Sequence, residues 1–186
     1  MGGSVKILLG VTGSVATTLL NKLVLELVGA SHTVKVVATE KSKYFFNDDD
    51  ISAEVIYEED EWPDEKYEKN MQINHIALRD WADLLLIAPL SANTLAKMAN
   101  GICDNLLTCI ARAWDPNKSV VVAPAMNTQM YKHPITKDQI EKLGHYYYNY
   151  SIAWPISKEL ACGDIGIGAM ANISDIVKKC ITISHL

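Results

Sequence analysis

Apolar and polar positions along this chain alternate between two rhythms. Residues 6–11 form an apolar run that closes on Thr-Gly-Ser, the mark of a strand buried on both faces of a parallel sheet. Residues 16–28 then place Leu19, Leu20, Leu23 and Leu27 at helical spacing. Residues 33–39 are β-branched and read as a second strand. A β-α-β opening favours a right-handed crossover and a parallel sheet. The alternation continues with a helix over 74–83, a strand over 84–88, helices over 92–100 and 104–114 and a strand over 119–123. It ends with a helix over 134–143, a tyrosine-rich strand over 146–150 and a helix over 172–183. Residues 47–69 break the rhythm: they are acidic and poor in aliphatics. Asp48-Asp49-Asp50 and Glu58-Glu59-Asp60-Glu61 read as solvated loop faces, with a cation site as the alternative. The pattern predicts an α/β fold, a doubly wound parallel sheet of the flavodoxin-like or Rossmann-like kind in a three-layer sandwich.

Composition narrows the function classes. The 186 residues suit one domain over 1–186 with a full core. A net charge of -5 argues against a general nucleic-acid binder. No apolar run reaches the length of a membrane span, and the first strand leaves no room for a signal peptide, so cytoplasm is the expected compartment. The four cysteines show neither a disulfide framework nor Cys-x-x-Cys metal spacing, and no metal is expected. Cys103, Cys109 and Cys180 read as small buried hydrophobes.

Four short signatures carry the candidate chemistry, three of them at strand ends, where an open parallel sheet places its ligand. Gly13-Ser14 lies between the first strand and the first helix, where unpaired backbone N–H groups attract an anion; the alternative is a simple N-cap by Ser14. Ser91-Ala92-Asn93-Thr94 offers donors and acceptors to a ring edge, or caps its own helix. Pro124-Ala125-Met126-Asn127 is an unusual strand end; Met126 and Met130 line a pocket or fill the core. Ala161-Cys162-Gly163-Asp164 sets a cysteine in a loop that Gly166 and Gly168 extend. An unperturbed thiol is mostly protonated at pH 7, which suits Cys162 to give a proton on a mobile flap; the alternative is an ordinary connection. His75 opens the helix before the strand at 84–88 and is either a proton carrier or structural. His32, His133 and His145 read as surface or loop residues.

In order and spacing these signatures resemble the homo-oligomeric flavin-containing cysteine decarboxylases, the phosphopantothenoylcysteine decarboxylase family. The likeness runs from about Lys6 to Lys179 and includes His75-Ile76, Trp81-Ala82-Asp83 and residues 101–108. It implies bound FMN, a homotrimer with the flavin near subunit contacts, and decarboxylation of 4'-phospho-N-pantothenoylcysteine to 4'-phosphopantetheine in coenzyme A biosynthesis. It implies that Gly13, Ser14, Val15, Thr39, Phe45, Ser91, Ala92, Asn93, Thr94 and Met126 hold FMN. It implies His75 as base, Asn127, Met130 and Ala161 as substrate contacts, and Cys162 as the late proton donor. The family chemistry passes through a flavin-generated thioaldehyde, which supplies the electron sink that direct loss of CO2 lacks. The chain departs from the family pattern at Leu19, where Lys is common, at Arg79-Asp80, where Arg-Arg is common, and at Tyr131, where Trp is usual.

Competing readings are a regulatory, phosphatase-inhibitory homologue, a peptidyl-cysteine decarboxylase and a flavin-prenylating enzyme. The first usually carries long acidic extensions. The second is disfavoured by the Ala-Met-Asn and Ala-Cys-Gly-Asp motifs, and the third leaves the flap cysteine without a role. A two-domain arrangement with a synthetase has no room in this chain.

Overall fold

The computed structural model describes residues 4–61, 66, 68–69, 71–159 and 165–183. Six parallel strands form the central sheet: β1 Lys6–Val11, β2 Thr33–Ala38, β3 Glu54–Ile56, β4 Leu84–Leu90, β5 Ser119–Pro124 and β6 Tyr150–Ile152. Their order is β3-β2-β1-β4-β5-β6. That is the Rossmann order; without the three-residue edge strand β3 it becomes the flavodoxin order. Seven helices accompany the sheet among the described residues: α1 Leu20–Gly29, α2 Asn74–Trp81, α3 Ala92–Ala99, α4 Leu106–Ala113, α5 Thr128–Lys132, α6 Pro134–Tyr146 and α7 Ile173–Ile183. A separate antiparallel hairpin pairs β7 Ile156–Glu159 with β8 Ile165–Ala169.

Strand alternation divides the apolar residues between two cores. Ile7, Leu9 and Val11 of β1 face Leu23 and Leu27 of α1 and Ile176 and Cys180 of α7. Leu8 of the same strand faces the other way, where Leu78, Leu95, Leu107, Ile110 and Leu143 come from α2, α3, α4 and α6. The sheet is thus covered on both faces, and every residue of β4 is buried. Gly10 lets α4 lie close, since a Cβ there would stand 2.5 Å from Leu107 Cδ1.

Three elements differ from expectation. The first helix begins as a 3-10 turn, Val15–Leu19, because β-branched Val15, Thr17 and Thr18 resist a regular α-helical start. The acidic stretch contains β3, whose backbone is held by β2 rather than by any apolar pattern of its own. The tyrosine-rich segment is divided: α6 runs to Tyr146, and only Tyr150 enters β6, while Tyr147 is buried and its hydroxyl donates to Ala111 O at 2.9 Å.

Candidate functional site

The sheet reverses its strand order between β1 and β4, so the loops after these strands diverge and leave a crevice. One fully buried side chain ties the two loops together. Thr12 Oγ1 donates to Pro89 O at 2.7 Å and accepts from Ser91 N at 2.9 Å. Thr17 Oγ1 in turn donates to Thr12 O at 2.8 Å, fixing the start of the first helical turn to the strand end. Gly13 follows. A Cβ there would stand 2.7 Å from Lys41 Cβ, so only glycine lets the loop after β1 pack on the 3-10 turn Glu40–Phe45 that follows β2. Thr39, which precedes that turn, is buried and its Oγ1 donates to Val11 O at 3.2 Å.

The capping readings of Ser14 and Ser91 are realised, and Asn127 adds a cap that the sequence reading did not raise. Ser14 Oγ accepts from Ala16 N at 3.4 Å, Ser91 Oγ from Thr94 N at 3.3 Å and Asn127 Oδ1 from Met130 N at 2.8 Å. Capping does not compete with a ligand here. Helices that begin at the crevice place Ser14 and Ser91 in its wall while their oxygens hold the first turn.

The crevice encloses about 750 Å3, within the range of small-molecule and cofactor sites. Nine residues singled out from the sequence line it: Gly13, Ser14, Thr39, Ser91, Ala92, Asn93, Thr94, Met126 and Met130. Val15, Phe45, Asn127 and His75 are not in its wall. The first three adjoin it along the chain, through Ser14, the Glu40–Phe45 turn and Met126. His75 lies on α2. Ala161 and Cys162 lie outside the described residues, between β7 and β8. The wall also holds residues that sequence reasoning missed. Lys97 Nζ forms an ion pair with Asp104, 2.8 Å from both carboxylate oxygens, and Glu58 accepts from the backbone N–H of Leu106 at the start of α4.

The acidic run is therefore not wholly a solvated face. Glu58 caps α4, and Asp60 O accepts from Asn74 Nδ2 at the start of α2. Glu61 is 3 % exposed and is bonded to His75 twice. Helix starts are the positive ends of aligned peptide dipoles, which is why acidic side chains gather there. No sequence signal marks Glu61 apart from its charged neighbours. Its partner lies 14 positions further along the chain.

Other expectations need correction. His32 lies in the connection between α1 and β2, as a loop residue, but it is buried there and not at the surface, and its Nδ1 accepts from the N–H of Val5, just before β1, at 3.4 Å. Cys103 is exposed rather than buried, and Cys109 half-buried; Cys180 alone of the described cysteines lies in the core. Burial pushes the Cys180 thiol up to about 12. Cys109 is pushed up to about 11, by burial first and then by the nearby Cys103, Glu61 and Glu58. Gly166 and Gly168 are strand residues of β8 instead of loop formers. A Cβ on Gly166 would meet Thr128 Oγ1 at 2.4 Å, and one on Gly168 would meet Met126 O at 2.3 Å. Gly168 O also accepts from Met126 N at 2.9 Å, so the hairpin rests directly on the loop after β5. Among the described residues no helix is long and apolar enough to cross a membrane, and no group of three or more His, Cys, Asp or Glu side chains is placed to hold a metal ion.

Known proteins share this arrangement. A family profile described as Flavoprotein matches residues 1–185. A phosphopantothenoylcysteine decarboxylase of Mus musculus is 48 % identical over 176 residues, covering 94 % of this chain and 84 % of the relative. One from Oryza sativa subsp. japonica is 45 % identical over 173 residues, covering 92 % and 77 %. Among solved structures, a PPC decarboxylase mutant complexed with pantothenoylaminoethenethiol superposes with a TM-score of 0.91 at 41 % identity, over 99 % of this chain and 100 % of that one. The FMN-binding protein AtHal3 superposes with a TM-score of 0.85 at 43 % identity, over 96 % and 95 %. On this family match, these identities and the shared fold, the chain belongs to the flavoproteins, and within them to the phosphopantothenoylcysteine decarboxylase family.

Proposed function

We propose that this chain is an FMN-dependent carboxy-lyase that converts 4'-phospho-N-pantothenoylcysteine to 4'-phosphopantetheine for coenzyme A biosynthesis. The observation that carries the reading is the convergence of nine residues named from the sequence on one crevice at the switch point of the sheet. The residues fit FMN in kind. Gly13, packed on Lys41 with no room for a Cβ, holds the loop after β1 so that its hydroxyl and backbone donors line the crevice, a setting suited to a phosphate. Ser91, Asn93 and Thr94 offer the mixed donors and acceptors that a flavin ring edge requires. Ala125 and Met126 give an apolar wall for a flat ring.

Bound FMN supplies the two-electron acceptor and donor without which loss of CO2 from a cysteine would leave an unstabilised carbanion. The chain itself binds, orients and moves protons. Ser14 and the N–H groups around it hold the phosphate, with Val15, Thr39 and Phe45 completing the cofactor's surroundings. Asn127, Met130 and Ala161 orient the substrate amide and carboxylate. His75 accepts a proton from the substrate on an imidazole nitrogen, and Cys162 Sγ returns one late in the cycle. The reading includes a homotrimer in the cytoplasm. His75 lies off the wall of the crevice in its own chain, and Val15, which follows Ser14 of that wall, is 51 % exposed, a surface that a second subunit would cover.

The test combines a visible spectrum with CO2 release. The purified protein is expected to be yellow with flavin absorption and to release CO2 from phosphopantothenoylcysteine. A colourless protein that takes up no added FMN, or a yellow one that leaves the substrate intact, would overturn the proposal. Cys162→Ser is expected to release CO2 and accumulate the oxidised enethiol; a normal phosphopantetheine yield from that variant removes Cys162 from the mechanism.

A further inference from the structure

The side chain of Glu61 is 1 % exposed. An ionised carboxylate at that depth persists only when hydrogen bonds and a partner replace the water it has lost. Both replacements come from one residue. The backbone N–H of His75 donates to Oε2 at 2.9 Å, and ring Nδ1 is bonded to Oε1. The amide belongs to the second residue of α2, one of the helix-start donors without an intrahelical acceptor. The carboxylate thus reads the backbone and the ring of His75 at once, which sets the ring's orientation relative to the helix. Because an ionised carboxylate only accepts, its contact requires the proton on Nδ1 and leaves the lone pair on Nε2.

We infer that Glu61 is a positioning residue: it holds His75 in the tautomer whose Nε2 is free to take a proton. The inference rests on His75 being the base of the proposed reaction. A purely structural role, as a tether of the acidic turn to α2, would need only the backbone contact.

Glu61→Gln separates these roles, because it keeps the shape but replaces one acceptor oxygen by an NH2 donor. The backbone N–H takes the remaining oxygen, so the amide faces Nδ1 with a donor and the ring proton is driven to Nε2. Nitrogen NMR of the holoenzyme at pH 8, with the His75 signal identified by its loss in His75→Asn, is expected to show protonated Nδ1 in the parent and protonated Nε2 in Glu61→Gln. Turnover per bound flavin is expected to fall about ten- to a hundred-fold, with KM within about twofold, and Glu61→Asp, which keeps the charge, to recover part of it. A parent ring protonated on Nε2 overturns the inference even if Glu61→Gln does not fold. So does a Glu61→Gln enzyme that loses flavin or thermal stability while turnover per flavin is intact. If His75→Asn keeps full turnover, it is the assignment of His75 as base that fails, and the ring signals still decide whether Glu61 sets the tautomer.

Discussion

Thr12 shows how much one hydroxyl can organise. It is fully buried, it donates to Pro89 O near the end of β4, and it accepts from the N–H of Ser91 just beyond that strand. Valine has nearly the same shape but neither hydrogen bond. Thr12→Val therefore leaves a carbonyl and an amide without partners in a dry setting, a loss of about 2 kcal/mol. Denaturant unfolding is expected to show it, together with weaker flavin retention, while Thr12→Ser stays near the parent; an unchanged midpoint in the valine variant would mean that water replaces the lost bonds. The sequence made Gly13, Ser14 and the Ser91–Thr94 stretch legible, since small polar residues at the end of an apolar run have few uses other than capping and binding. It did not expose Thr12 or Glu61. Their partners lie 77 and 14 residues away, and a contact across that separation leaves no mark on local spacing.

At the scale of elements, the hairpin of β7 and β8 is the clearest case of structure that pattern reading misses. Its strands are four and five residues long, and β8 carries two glycines, so neither alternation nor propensity announces it. What holds β8 is close approach. Gly168 sits at φ +138 with Met126 O where a Cβ would be. Gly168→Ala must strain the backbone and push against a carbonyl that cannot yield, a penalty of about 1–3 kcal/mol. Amide exchange across the hairpin is expected to accelerate about tenfold or more, and turnover to fall if the proposed role of Cys162, which lies between these strands in the sequence, holds. Gly144→Ala is the control: its nearest neighbour atom would be 3.6 Å away, and exchange should not change. Equal exchange in both variants would show that the hairpin does not depend on that contact. Helices α1 and α7, by contrast, were readable from the helical spacing of their buried apolar residues, and β4 from a run that is buried throughout.

For the whole molecule, two cores back a single sheet, and the crevice lies at its edge and not within either core. A cofactor bound there meets residues from the ends of β1, β2, β4 and β5, which are apart in the unfolded chain, so it binds the folded state alone. At a concentration about 100 times its dissociation constant such a ligand adds about 2.7 kcal/mol. For a chain of this length that is a rise in the thermal midpoint of about 5–10 °C. Removing and restoring FMN in a melting experiment checks it; an identical midpoint with and without FMN would mean that the folded chain does not bind the cofactor. The fold class was legible from the alternation of strand and helix. Strand order was not, because it depends on which edges pair, and only the preference for neighbouring, right-handed connections constrains that from sequence.

The order β3-β2-β1-β4-β5-β6 also bears on synthesis. Each strand after β1 has its neighbour earlier in the chain: β2 joins β1, β3 joins β2, β4 returns to β1, and β5 and β6 extend from there. A nascent polypeptide emerging from the ribosome can therefore lay down its sheet outward from the first strand. Every strand of this sheet after the first finds a partner already in place, and β1 keeps one side open from the arrival of β2 until that of β4.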